Sequence, residues 1–370
     1  MGNLMNGQPM DEQGMHEQLL ALRNRIDAID EEMLRLVSER AKLAQAIGHL
    51  KNGIVYKPER EAQVVARLQA NNPGPLPAES VAVLFKEIMS ACRALEQPLT
   101  IAYLGPEGTF SEAATVKQFG HAARGLPCAS IDEVFRAVEH SEAHYGVAPV
   151  ENSTEGAVSR TLDLMLGTSL KICGEVMLRV RQHLMRQGGA GLEDIDTVYS
   201  HAQSLGQCHE WLAGHLPGAK RVPVSSNAEA ARLAAEQPRA AAVAGELAAE
   251  HYGLTIVARD IEDETNNTTR FLVLGREAVA PSGKDKTSLA LSTHNRPGSL
   301  LGLLEPLARH GIGLSKLESR PARNGAWEYV FFVDLDGHLG DPKLQAALQD
   351  LEPHCTLLKI LGAYPVAFQD

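Results

Sequence analysis

Leu22, Ile26, Ile29, Met33, Leu36, Leu43, Ile47 and Leu50 recur at spacings of three and four, with Arg40 on the same register. That period predicts one long α-helix, beginning near Leu19, with a coiled-coil-like stripe. Lys51-Asn52-Gly53 closes the run, Pro58 opens a second helix at its first position, and Asn71–Pro77 breaks before a third helix from Glu79 to about Glu96. Three helices in roughly eighty residues cannot bury so long a stripe, so a partner copy of the chain is expected. Residues 1–16, with Met1, Met5, Met10 and Met15 and no apolar period, read as a flexible leader.

At Gln97-Pro98 the pattern switches. Leu99–Leu104 alternates as a strand, a glycine-rich turn follows, and a helix starts near Ser111. Further strands are predicted at Tyr145–Val150, Thr197–Tyr199, Ala240–Ala244 and Thr255–Ala258, with helical patterns between them. Residues 98–278 therefore form an α/β domain. A Pro/Ser/Gly/Lys linker spans 279–286, and residues 287–365 then read strand, helix, strand, strand, helix, strand, the ferredoxin-like α+β order. The expected fold is multi-domain: an all-α segment over 17–97, then α/β, then α+β.

Composition narrows the function classes. The 370 residues carry a net charge of −11, which excludes a basic nucleic-acid footprint. No apolar run approaches the roughly 18–20 residues of a membrane span, and the N-terminus lacks signal-peptide character. Five scattered cysteines, none in C-x-x-C spacing, fit a reduced, cytoplasmic setting. No dinucleotide fingerprint occurs; His140 with His144, and Cys208-His209 with His215, lack a third ligand at metal spacing. Neither cofactor nor metal is expected, and an enzyme of small-molecule metabolism is the leading class.

Arg40 is out of place among apolar neighbours. A buried guanidinium needs an anion. An internal carboxylate, a helix edge or an anionic ligand between helices would each supply one or remove the need. Lys51, eleven residues on, lies about 20° round and roughly 16 Å along the same face, so the two can bracket a small dicarboxylate. Arg23 is about 25 Å from Arg40 and rotated about 100°, so it can serve only a partner's site. Arg60-Glu61 and Glu96 are the remaining polar groups. Leu19–Arg23, Arg40, Lys51, Arg60-Glu61 and Glu96 resemble the all-helical, intertwined-dimer chorismate mutases. The resemblance implies that Arg23 of a partner, Arg40 and Arg60, with Glu61 nearby, hold the carboxylates of chorismate. Lys51 and Glu96 would contact the ether oxygen whose bond breaks. A Claisen rearrangement needs a folded conformer and charge stabilisation rather than a nucleophile. Glu96, where the family often has Gln, must be protonated to donate, so mutase activity is expected to fall as pH rises. Cys92 and Lys57 carry no assignment.

Four polar loops stand at strand ends of the α/β domain: Tyr103–Ser111, Pro149–Gly156, Ser200–Gln207 and Asn266–Phe271. Loops at carboxyl ends of strands are where open α/β sheets bind ligands. The ordered G-P-x-G-T-F, P-V-E-N-S, S-H-x-Q and N-x-T-R-F motifs resemble prephenate dehydratases, with Ala202 where the third usually has Pro. This implies a two-lobed fold like type II periplasmic binding proteins, with substrate between the lobes. Thr269 would protonate or polarise the departing ring hydroxyl. Arg270 and Phe271, with Thr109, Ser111, Glu151, Asn152, Ser153, Ser200 and Gln207, would position substrate, and His201 would orient them.

In the last domain Asn295–Leu301 and Glu318–Pro321 resemble ACT regulatory domains. Gly298, Ser299 (usually Ala), Leu300, Glu318, Ser319 and Arg320 would then contact phenylalanine at a dimer interface. Removing the chain from Lys286 onward is expected to leave both activities and lose effector sensitivity. The three segments in this order resemble the bifunctional chorismate mutase/prephenate dehydratases of phenylalanine synthesis. The implied molecules are chorismate, prephenate and phenylalanine, in a homodimer or higher even-numbered oligomer without nucleic acid or membrane. A mutase–dehydrogenase fusion is disfavoured by the missing dinucleotide fingerprint, and an amino-acid-sensing binding protein would leave Thr269, Arg270 and the helical cations idle.

Overall fold

The computed structural model describes residues 12–50, 56–189, 191–321 and 329–367. The chain divides into two compact units, the described part of Met1–Val55 with Cys92–Gln97, and Tyr56–Ala91 with Pro98–Asp370. In the first, α1 (Glu12–Leu50) runs unbroken for 39 residues. It begins inside the expected leader, because Glu12, Gln13 and Glu17 are good helix formers and Glu12 sits at the positive end of the helix dipole. None of its residues is buried, and Leu22, Ile26, Ile29, Met33, Leu36, Leu43 and Ile47 are exposed along the predicted stripe. Lys51 and the predicted stop at 51–53 lie outside the described residues.

In the second unit, α2 (Pro58–Ala70) starts on its proline, and the helix α3 (Ala78–Ala94) packs Ala82 and Met89 on Val65. Then come β1 (Thr100–Leu104), α4 (Phe110–Phe119), β2 (Arg124–Cys128), α5 (Ile131–Glu139), β3 (Tyr145–Asn152), β4 (Gly156–Ala157), α6 (Ser159–Gly167) and β5 (Lys171–Arg179). The chain crosses to a second lobe: β6 (His183–Arg186), β7 (Thr197–His201), α7 (Ala202–Gln207), α8 (His209–His215), β8 (Lys220–Val224), α9 (Asn227–Glu236), β9 (Ala240–Ala244), α10 (Glu246–Tyr252) and β10 (Thr255–Ala258). It returns through β11 (Thr268–Gly275). The first lobe's sheet is ordered β2-β1-β3-β11-β5, with β4 on β3; the second is β10-β6-β9-β7-β8. The two crossovers bond to each other, Val180 N–H to Asn267 O at 2.8 Å and Ile261 N–H to Gln182 O at 2.8 Å. This is the expected two-lobed arrangement.

The third domain follows as β12 (Asp285–Ser292), α11 (Ser299–Arg309), β13 (Leu314–Pro321), β14 (Tyr329–Asp336), α12 (Pro342–Leu351) and β15 (Leu357–Pro365). Its sheet, β13-β14-β12-β15, is antiparallel throughout. The βαββαβ order matches the sequence reading, but Lys286, assigned to the linker, is already in β12. This sheet is joined to the first lobe rather than tethered beside it. Ala290, Val330, Phe332, Leu361 and Tyr364 share one core with Ala148, Val150, Leu162 and Leu272. Gly362 lets the backbones of β15 and β5 touch, since a Cβ there would lie 2.8 Å from Ile172 N. Lys359 donates to the carbonyls of Met165, Leu166 and Thr168 at the end of α6.

Candidate active site

A cleft of about 880 Å³ opens between the two lobes. One wall is the turn before α4. Thr109 caps that helix by accepting from Glu112 N–H, while the Glu112 carboxylate accepts from Gly108 N–H at 2.6 Å. This reciprocal cap leaves the remaining N–H groups of the first turn, near Phe110 and Ser111, facing the cleft wall. Gly108 needs its left-handed φ of +83° to make the turn.

The floor comes from the ends of β3 and β11, which pair Asn152 with Thr269 and Glu151 with Arg270. Asn152 Oδ1 accepts from Thr154 and Glu155 N–H, both at 3.0 Å, which fixes the orientation of its amide. Its Nδ2 donates to Asn267 Oδ1 at 2.7 Å and to Thr269 Oγ1 at 2.9 Å. With that lone pair engaged, the Thr269 hydroxyl proton is left to point into the cleft.

The second lobe contributes His201, Gln203, Ser204 and Gln207 around α7, and Ser225–Asn227 at the start of α9. Asn227 ties them together: its Oδ1 accepts from His201 N–H at 3.1 Å and from Ser200 Oγ, and its Nδ2 donates to Ser204 Oγ at 2.9 Å. Gln182, on the crossover, donates to Ser204 Oγ at 3.0 Å.

Thr109, Ser111, Asn152, Gln207, His201 and Thr269 therefore meet in one cleft. Several expected residues do not. Glu151 and Arg270 are one residue from Asn152 and Thr269 on paired strands, so the pleat sends them to the opposite face. Arg270 is buried there, donating to Glu175 at 2.7 Å, Asp334 at 2.5 Å and the Tyr364 hydroxyl at 3.0 Å. Burial opposes its charge, yet Tyr364, Asp334 and Glu175 outweigh that and hold its pKa above the ordinary value. Glu151 pairs with Lys316 at 2.6 Å. Phe271 lies in the core with Tyr103, Val147 and Val176. Ser200 is fully buried and donates to Val243 O at 2.7 Å, so it supports Asn227 rather than the cleft. Ser153 accepts from Thr268 N–H at the strand end. Substrate-positioning roles for Arg270, Phe271 and Ser200 are thus corrected.

Among the described residues lining the cleft there is no Lys or Arg. Glu107 is the carboxylate on its wall, and partial positive charge is supplied by the N-termini of α4 and α9, the latter capped by Ser226. The one thiol on the wall, Cys128, is pushed up by burial and stays protonated at neutral pH. Gln203 and Ser204 belong to the Ser200–Gln207 loop that the sequence marks, whereas Ser225, Ser226 and Asn227 are not among the residues it predicts for the site. The one signal for them was S-x-x-E at Ser226–Glu229, a capping box opening an alanine-rich helix after a strand.

In the helical unit Arg23 is exposed and Arg40 half-buried. Glu96 folds onto α1, its carboxylate lying where a Cβ on Gly48 would be, 2.7 Å from Oε2. Arg60 and Glu61 lie on α2, in the other unit. In the third domain Gly298 takes a left-handed φ of +83° before α11, and Ser299 Oγ donates to His294 O. Along β13 the burial alternates. Lys316, Glu318 and Arg320 face inward, where Arg320 meets Asp163 at 3.4 Å, and Leu317 and Ser319 face outward; Leu300 on α11 is exposed as well.

Comparison with known proteins finds three families matched along the chain. The sequence profile of the Prephenate dehydratase family matches residues 101–279, Chorismate mutase type II matches 22–97, and the ACT domain matches 287–353. A bifunctional chorismate mutase/prephenate dehydratase of Neisseria gonorrhoeae is 55% identical over 96% of this chain and 99% of its own. The crystal structure of a prephenate dehydratase from Arthrobacter aurescens in complex with L-Phe superimposes with a TM-score of 0.67 at 35% identity, covering 72% of this chain and 90% of that one. GqqA, described as a quorum quenching acylase, superimposes equally well at 31% identity over 72% of this chain and 98% of its own.

Proposed function

Because the chain belongs to the family of bifunctional chorismate mutase/prephenate dehydratases, we propose that it converts chorismate to prephenate and prephenate to phenylpyruvate, with phenylalanine as feedback inhibitor. The observation that carries the second step is the Thr269 hydroxyl, oriented by Asn152 at 2.9 Å in the inter-lobe cleft. The ring carboxylate leaves as carbon dioxide, its bonding pair enters the ring, and the ring hydroxyl departs with the pair of the broken C–O bond. That oxygen needs one proton to become water, and the free Thr269 O–H is the donor within reach. A threonine is a weak acid, so most of the acceleration lies in positioning and in forming the aromatic ring. Ser111, Gln207, His201 and the two helix N-termini hold the dianionic substrate.

For the first step, Arg40 and Arg60 with Arg23 of a partner bind the carboxylates of chorismate, and Lys51 and Glu96 address the ether oxygen. The exposed apolar stripe of α1 and the half-buried Arg40 support a homodimer or higher even-numbered oligomer, since a second copy covers the one and completes the other. The L-Phe complex of the Arthrobacter relative supports phenylalanine as effector, bound around Gly298–Leu300 and Glu318–Arg320. The net charge of −11 supports a protein without nucleic-acid partner, and the five scattered cysteines support a reduced, cytoplasmic setting.

The two-lobed fold alone does not select this chemistry, because the acylase shares it. One assay decides. Purified protein is given chorismate without nicotinamide, and prephenate and then phenylpyruvate are followed with and without phenylalanine. T269V should lower dehydratase turnover by about 10²–10⁴ with mutase turnover unchanged. Retained phenylpyruvate formation would remove Thr269 from the reaction.

A further inference from the structure

The third domain grips the reverse side of the two strands that end in Asn152 and Thr269. Lys316 Nζ lies 2.6 Å from Glu151 Oε2. Glu151 immediately precedes Asn152 on β3, and its partner across the ladder is Arg270, next to Thr269. Arg270 in turn is held by Asp334 of β14. The pair sits near the end of the β3/β11 ladder, where β4 borders Glu151 and Asn152 and β5 borders Thr268, Thr269 and Arg270.

We propose that Lys316 is a positioning residue for the dehydration, acting through Glu151 on Asn152 and, across the ladder, on Thr269. It touches no part of the cleft. Its ammonium restrains Glu151, and with it the backbone of the neighbouring Asn152, whose amide Thr154 and Glu155 N–H orient toward the Thr269 hydroxyl.

Two observations separate this role from simple anchoring. Glu151 is 38% exposed while Lys316 is 11% exposed, so the pair is partly solvated and such pairs add little stability. The joint between the domains is already secured by the shared core and by Arg270 with Asp334 and Tyr364. Lys316 also stands two residues before Glu318 and four before Arg320 on the same face of β13. A shift of that strand on effector binding would therefore reach Asn152 directly. On this reading, removing the chain from Lys286 onward would lower dehydratase turnover instead of sparing it: the cut takes Lys316 from Glu151 and takes Asp334 and Tyr364 from Arg270, which keeps Glu175.

The inference rests on the dehydratase reading, and the test separates the two. In the full-length protein, K316M should fold, keep mutase activity, and lose about tenfold in dehydratase kcat with KM for prephenate within about twofold of the parent. Inhibition by phenylalanine should weaken in the same variant. K316R should recover most of the turnover. If Lys316 works through Glu151, the double variant K316M/E151Q should be no slower than E151Q alone. A folded K316M with parental kcat and parental inhibition, or a double variant in which the two losses multiply, would overturn the proposal. An unsubstituted protein that makes no phenylpyruvate from prephenate would instead overturn the dehydratase reading.

Discussion

Arg270 offers the sharpest test, because the family motif and the structure assign it opposite work. Replacing it by Met removes the cation between Glu175 at 2.7 Å and Asp334 at 2.5 Å. Glu175 keeps Lys286, 3.0 Å from both of its oxygens, but Asp334 keeps only the Ser288 hydroxyl at 2.5 Å. One buried carboxylate is left without a counter-charge, a loss of about 3–5 kcal/mol. For a unit of about 300 residues, each kcal/mol lowers the unfolding midpoint by about 1.5 °C, so R270M should melt roughly 5–8 °C lower. Asp334→Asn in the same chain discharges the orphan, and R270M/D334N should recover most of the midpoint. Thermal unfolding followed by circular dichroism measures the first quantity, and steady-state kinetics on prephenate the second. Below its melting point R270M should bind prephenate with KM within about twofold of the parent, its losses falling on kcat. A guanidinium gripping a substrate carboxylate would predict the reverse. Loss of a charged hydrogen bond of about 1.5–3 kcal/mol would raise KM roughly 10- to 150-fold. An unchanged melting point with KM raised a hundredfold would refute the placement of Arg270 outside the cleft.

Three further outcomes follow from other parts of the molecule. G48A adds a Cβ 2.7 Å from Glu96 Oε2. The helix itself should gain about 0.5–1 kcal/mol while mutase kcat falls tenfold or more as the carboxylate is displaced, on the order expected for a misplaced group; parental mutase kinetics would refute the contact. E96Q should abolish the fall of mutase activity with rising pH, which an unchanged pH profile would contradict. Burial holds the pKa of His183 below its ordinary 6.5. The unfolded chain then takes up that proton first, so this contribution to stability is complete above pH 6.5 and is lost as pH falls toward the folded value. H183Q should flatten the acid side of the melting-point profile below pH 6.5, and an unchanged slope would exclude His183 as its source.

Which parts of this were legible in the sequence follows from the range of the interactions. The stripe from Leu22 to Leu50 is local, and α1 carries it along its length. The strands at Ala240–Ala244 and Thr255–Ala258 were read to their last residues, because short runs between turn signals define both ends. The N-x-T-R-F motif was read as a loop before a strand, but β11 already includes Thr268. Inside a strand, neighbouring letters face opposite ways, so Thr269 reaches the cleft and Arg270 cannot. Nothing in the letters signals that burial. Its partners Asp334 and Tyr364 are 64 and 94 residues away, on strands whose docking depends on the bare face of Gly362. Ser200 failed for a similar reason: its motif is right, but the side chain turns into the sheet toward Val243.

The parity of β11 also suits the reaction. In the proposed mutase step both carboxylates of chorismate survive, so Arg23, Arg40 and Arg60 would meet the same charge before and during the rearrangement. Such cations tighten binding and hold the folded conformer without opposing the chemistry. In the proposed dehydration one carboxylate is consumed, its charge draining into the ring as carbon dioxide departs. A guanidinium clamped on that group would stabilise the ground state more than the transition state and raise the barrier. Helix N-termini and hydroxyls, with partial charges spread over several donors, bind a dianion without pinning one oxygen pair so firmly. The cleft is lined in that way, with Thr109, Ser111, Ser226 and Asn227 at two helix starts and no Lys or Arg among its described residues. An Arg270 turned inward would work against the dehydration proposed for Thr269. Turned outward it fastens the strand that carries Thr269, so the motif's cation contributes to the reaction through geometry rather than through charge on the substrate.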